Sequence, residues 1–163
     1  MKHLLLVRHA KSSWNNTSLS DFDRPLNDRG MHDAPMMAKR LIARKISIDQ
    51  LVSSTANRAL NTATLFAKEL GIKQHDIVKV PMLYHASPDT FDTVIADLPD
   101  EHDTIALFSH NPGITAFVNQ QKVAMVDNMP TCGVFGVHAL ADSWKDFAAA
   151  EKRFWFFDYP KNF

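Results

Sequence analysis

Two runs in this chain do not alternate: "LLLV" at Leu4–Val7, within a strand read over residues 3–8, and the core of "DTIALFS" at Asp103–Ser109. A strand with one wet face alternates apolar and polar residues, because successive side chains point to opposite faces. An unbroken run reads instead as a strand covered on both faces, as in a parallel sheet flanked by helices. "DQLVSS", Asp49–Ser54, reads as another such strand. Between the strands lie helical patterns. Asn27 or Asp28 can cap a helix with an apolar stripe of Ala34, Met37, Ala38, Leu41 and Ile42, ending near Lys45. Asn57–Leu70 follows, with Leu60, Ala63, Thr64, Ala67 and Leu70 on one side and Gly71 at its C-terminus. Val78–Leu83 reads as short and extended. Ser87 and Pro88 open a third helix, and Asn111 and Pro112 a fourth. Gly133–Leu140 and Lys152–Tyr159 read as later strands, the aromatic "FWFFDY" being an edge or near-edge strand packed on both sides. The alternation predicts an α/β fold with a mostly parallel sheet, and the length fits one domain over residues 1–163.

Composition narrows the function. Lys+Arg and Asp+Glu are 18 each, so the net charge of 0 argues against broad nucleic-acid binding. The single cysteine, Cys132, excludes an intrachain disulfide and most cysteine metal sites, and it reads as a small buried residue. The apolar run before Arg8 is too short for a signal peptide or a membrane span, and no other run reaches that length. The expectation is a cytoplasmic protein with no membrane or nucleic-acid partner.

In parallel sheets, ligands bind beyond the carboxyl ends of the strands. Three such ends carry unusual residues: Arg8 and His9, then Ser53-Ser54 leading to Arg58, then His110. Two arginines and two histidines converging on one crevice suit a phosphoryl group. Arginine forks match phosphate oxygens. A neutral imidazole can attack phosphorus, and nearby cations keep it neutral. Arg58 in a first helical turn opposes the helix dipole unless an anion is bound there. Helix N-termini near Asn57 and Asn111 would add further donors. Zinc fits poorly, because no carboxylate accompanies His9 and His110 at ligand spacing and the arginines would repel a cation. No metal or cofactor is expected.

"VRHAKSSW", "SSTANRALNTA" and "FSHNPG", in this order, resemble the histidine phosphatase superfamily, the phosphoglycerate mutase-like fold. "DFDRPLNDRG" and "MPTCG" look like its small phosphohistidine phosphatase branch. The resemblance implies a three-layer sandwich, with a central, mostly parallel sheet flanked by helices. It implies His9 as the nucleophile, with Arg8, Arg58 and His110 completing the phosphate pocket. Ser12 and Asn15 match pocket-loop positions. Ala10 and Ser109 stand where many members have glycine. Larger members carry a glutamate general acid where this chain reads "LYHASPD", with His85 and Asp89 but no evident carboxylic acid donor; His85 could serve as a weak acid. A missing acid favours a leaving group that needs little help, such as imidazole, whose conjugate acid has a pKa of about 6.5. The implied substrate is therefore phosphohistidine on a signalling protein of the histidine-phosphotransfer type. A small phosphomonoester is the second choice, and a non-catalytic phosphoprotein-binding module the third. Lys11 and Arg24 either line the pocket mouth or are simply solvated. The other histidines, His3, His32, His75, His102 and His138, show no spacing to one another and read as structural.

Overall fold

The computed structural model describes residues 1–163. Six strands form one sheet: β1 (Lys2–Arg8), β2 (Gln50–Ser53), β3 (Val78–Lys79), β4 (Thr104–Ser109), β5 (Val134–Ala139) and β6 (Lys152–Asp158), in the order β3-β2-β4-β1-β5-β6. The first four run parallel; β5 is antiparallel to β1, and β6 to β5. The helices are α1 (Asp28–Ala43), α2 (Asn57–Leu70), α3 (Pro88–Ala96) and α4 (Gly113–Gln120).

The unbroken apolar runs are explained by layers on both faces. Leu4 and Leu6 point into a core built with α3 and α4, through Phe91, Ile95, Ile114 and Phe117. Leu5 and Val7 point into a second core with α1 and α2, through Met37, Leu41, Ala63 and Phe66. Leu4–Val7 are fully buried, as are Ile105–Phe108 of β4. Each leucine so buried contributes about 1.5–3 kcal/mol. The architecture is thus the three-layer α/β sandwich expected.

Local signals place the helices as read, with a few shifts. The Asn27 side chain accepts from the Gly30 N–H, and that of Ser87 from the Thr90 N–H. Gly71 closes α2 in the left-handed conformation at φ 73°. The buried face of α2 is Ala59, Thr62, Ala63, Phe66 and Ala67, so Leu60, Thr64 and Leu70 sit at its margin. Ile42 is 47% exposed and lies outside the α1 stripe. Past β3, Pro81–Leu83 form a 3-10 turn rather than extended chain. α4 starts at Gly113, two residues later than expected, where the Ala86 carbonyl lies so close that a Cβ would collide with it. β6 is an edge strand, but only its second half is packed; Phe154 is 46% exposed. His3 and His138, expected to be unrelated, face each other across β1 and β5 with Nδ1 atoms 2.7 Å apart. Antiparallel register, invisible as spacing, brings them together.

Candidate active site

β1, β2 and β4 end at the same level of the sheet. Arg8 pairs with Ser109 and Ser53 with Phe108, so His9, Ser54 and His110 leave the sheet together. The His9 N–H continues the ladder to the Ser109 carbonyl (3.1 Å). The two imidazoles lie with centroids 5.1 Å apart. α2 begins four residues after β2 and carries Arg58 in its first turn. No side chain caps α2, so the dipole and N–H groups of its N-terminus are available to an anion.

Hydrogen bonds determine which nitrogen of each histidine carries the proton. His9 Nδ1 donates to the Ala10 carbonyl at 2.8 Å, leaving the lone pair on Nε2, which accepts from Arg58 Nε at 3.3 Å. Ser54 Oγ accepts from the Ala56 N–H (3.2 Å), and its hydroxyl proton, which has no other acceptor, is assigned to His110 Nε2 (2.8 Å). His110 therefore keeps its proton on Nδ1, a buried atom without a protein partner. Arg8 donates from Nη1 to the Met129 carbonyl (2.8 Å), while its buried Nε–H is also unpaired. Unpaired buried donors are costly, and an oxyanion in the pocket would satisfy both.

The electrostatics suit a neutral nucleophile. Burial lowers the His9 pKa to about 3, helped by the Arg58, Arg8 and Arg24 cations against the Ala10 hydrogen bond. Burial, with neighbouring His9 and Arg58, lowers that of His110 to about 2. Burial and Arg58 also lower the pKa of Arg8. Burial pushes the Cys132 thiol well above its ordinary range, consistent with an inert residue.

The flanking segments hold this arrangement. The Ala10 N–H donates to Thr62 Oγ1 (2.9 Å), and Thr62 donates to the Arg58 carbonyl (2.7 Å), tying the turn after His9 to α2. The Cys132 N–H is shared between the Arg8 and His9 carbonyls, each at 3.0 Å. Ser109 Oγ donates to the Leu83 carbonyl (2.7 Å), anchoring the turn that leads to Tyr84.

The remaining expected residues are placed differently. Ser12 is buried and accepts from Arg24 Nη1 at 2.6 Å, so it positions an arginine. Arg24, 7% exposed, is buried rather than solvated and stacks on Trp14 with its guanidinium carbon 3.5 Å from the ring centroid. Lys11 is exposed. Asn15 is exposed too, and its side chain hydrogen-bonds none of the pocket residues. His85 is exposed at φ 57° and stacks on Tyr84 at 3.9 Å between centroids. It walls a cleft of about 400 Å³ beside His110, together with Ser87, Pro88 and Asn111.

Asp21, on a 3-10 turn at Asp21–Asp23, was not foreseen. Its Oδ2 accepts from Arg58 Nη2 (3.0 Å) and the Tyr84 hydroxyl (2.7 Å), and its Oδ1 from Arg24 Nη2 (3.0 Å). Burial alone would raise its pKa, but the bonds from Tyr84, Arg24 and Arg58 hold the carboxyl well below the usual range. The Asp21–Arg24 spacing in "SDFDRPL" was the available signal, but nothing in the sequence tied it to Arg58.

The sequence profile described as histidine phosphatase superfamily (branch 1) matches residues 4–83. An uncharacterised protein of Mycobacterium leprae is 30% identical over 151 residues, covering 85% of this chain and 90% of its own. The crystal structure of SixA from Agrobacterium tumefaciens, a proposed phosphohistidine phosphatase, superposes with a TM-score of 0.80 at 27% identity, covering 98% of both chains. The protein histidine phosphatase SixA in complex with tungstate shares the fold, with a TM-score of 0.83 at 19% identity over 98% of both chains.

Proposed function

The chain belongs to the histidine phosphatase superfamily, and we propose that it hydrolyses phosphohistidine on a phosphoprotein through a covalent intermediate on His9. The observation that carries this reading is the Nε2 lone pair of His9, buried among arginines and kept unprotonated at neutral pH.

In the first step His9 Nε2 attacks phosphorus in line, and the bond to the leaving nitrogen breaks with its electron pair on the departing imidazole. Arg8, Arg58 and the His110 Nδ1–H face the equatorial oxygens, where charge must be stabilised. In the second step water attacks phospho-His9. The P–N bond breaks, His9 recovers its lone pair, and the water's proton leaves with inorganic phosphate. Asn15 and His85 lie at the exposed margin, where they would meet the substrate's carrier rather than its phosphoryl group.

No carboxylic acid able to donate a proton at neutral pH stands beside the pocket. Asp21 is held ionised. This supports a leaving group that departs without strong acid help, and it disfavours alkyl phosphomonoesters. A bare phosphate-binding module would have no need of a neutral nucleophile.

The test is turnover of a histidine-phosphorylated phosphotransfer protein and of p-nitrophenyl phosphate by wild type and His9→Ala. Phosphohistidine should be the faster substrate, with an acid-labile, alkali-stable phosphoryl adduct lost in His9→Ala. No turnover of either compound would overturn the enzymatic reading. Faster turnover of the ester would overturn the substrate preference.

A further inference from the structure

Asp21 has no task in the transfer just described, and its charge works against it. A carboxylate at the mouth of a phosphate pocket repels an incoming phosphoryl dianion. Yet the fold holds this one ionised with donors from three side chains and fixes its backbone as well, since Arg58 Nη1 donates to the Asp21 carbonyl at 2.7 Å.

Depth shows where the charge sits. His9 and Arg58 are 6% and 5% exposed, whereas the Asp21 side chain is 43% exposed. Arg58 spans the two, with Nε on His9 Nε2 and Nη2 on Asp21 Oδ2. Asp21 thus lies one guanidinium outward from the attacking nitrogen, on the side from which a carrier must approach.

Building on the phosphohistidine reading, we propose that Asp21 selects phosphoryl donors whose leaving group is cationic. An N-phosphorylated imidazole has one nitrogen bonded to phosphorus and a second that can take a proton. Protonated there, the ring is an imidazolium. When its P–N bond breaks, the electron pair stays on the departing nitrogen, and the ring leaves as neutral imidazole still carrying that proton. No further proton is needed. The second nitrogen lies farther from phosphorus, toward the mouth, where an anion would meet its N–H. Three of the four donors on the Asp21 carboxylate come from arginines, and the fourth is the neutral Tyr84 hydroxyl. An imidazolium N–H is the stronger donor and would replace that hydroxyl on Oδ2. An ester oxygen offers no such proton, so Asp21 only repels it. The residue would replace the missing general acid by favouring substrate that brings its own proton.

The test compares kcat/KM for free phosphohistidine and for p-nitrophenyl phosphate in wild type, Asp21→Asn, Asp21→Glu and Tyr84→Phe. The ratio of the two is measured on one preparation, so any loss of folded protein cancels. Asp21→Asn should lower the phosphohistidine-to-ester ratio about tenfold, the size of one charge-assisted hydrogen bond. Asp21→Glu should recover most of it, and Tyr84→Phe should keep or raise it. An equal fall on both substrates in Asp21→Asn would show that Asp21 only orients Arg58, and an equal rise that it only repels phosphate; either overturns the proposal and leaves the phosphatase reading intact. Failure of wild type to hydrolyse phosphohistidine at all would overturn both.

Discussion

Acidification from pH 7 to pH 5 should destabilise the fold through His9 and His110 by about 4 kcal/mol, two histidines at about 2 kcal/mol each. In the unfolded chain an imidazole takes up a proton as the pH falls through about 6.5. In the folded chain His9 resists until about 3 and His110 until about 2. Between those limits the unfolded state binds more protons, so stability is fully present above pH 6.5 or so and drains away as pH falls. Each histidine contributes a slope of about 1.4 kcal/mol per pH unit. Both rings are almost fully buried, so solvent screening removes little of this. The assay is urea denaturation at a series of pH values for wild type and His9→Gln. The wild-type curve should fall steeply below pH 6, and the variant's slope should be smaller by about one proton. His3 and His138, whose pKa values are also lowered by burial, add equally to both proteins and cancel in the comparison. Inorganic phosphate should flatten the wild-type curve, since an anion in the pocket favours imidazolium. A flat wild-type curve from pH 7 to 5, or identical slopes in the two proteins, would refute the assignment of two neutral buried imidazoles.

Three further outcomes follow from the geometry. Ser54→Ala removes the donor that fixes the His110 tautomer, so kcat should fall about tenfold or more with a small change in melting temperature, and Ser54→Thr should restore part of it. Arg58→Lys keeps the charge but loses the fork shared by His9 and Asp21; tungstate affinity measured by calorimetry should drop nearly as far as in Arg58→Ala. Gly113→Ala places a methyl group against the Ala86 carbonyl, so unfolding should come about 1–3 kcal/mol earlier in a urea melt, with the overpacked turn beside His110 as the cause.

The sheet was legible because burial on both faces leaves a one-dimensional trace. Leu4–Val7 and Ile105–Phe108 have no polar face to interrupt them, so the run itself reports the layers above and below. Arg8, His9 and His110 stood out for a related reason, since polar groups at the ends of buried strands need an external partner, and Arg58 because a cation in a first helical turn opposes the dipole. Asp21 left no such trace. It lies in a polar loop without periodicity, and its significance comes from Tyr84 and Arg58, 63 and 37 residues away. The His3–His138 pair was hidden likewise, because it depends on the antiparallel register of β1 and β5. On α2 the apolar stripe was displaced because Thr62, polar in the sequence, is fully buried and spends its hydroxyl on Ala10 and the Arg58 carbonyl.

The sheet order also sets a timetable for synthesis. β1 leaves the ribosome long before its neighbours β4 and β5, which begin at Thr104 and Val134. At about 5–20 residues per second, the strand of the proposed nucleophile waits about 5–25 seconds for a partner. The clamp on the Arg8 and His9 carbonyls comes from Cys132, later than all four helices. A nascent chain thus carries His9 well before the segments that complete the pocket around it. Truncated products should therefore be inert rather than promiscuous.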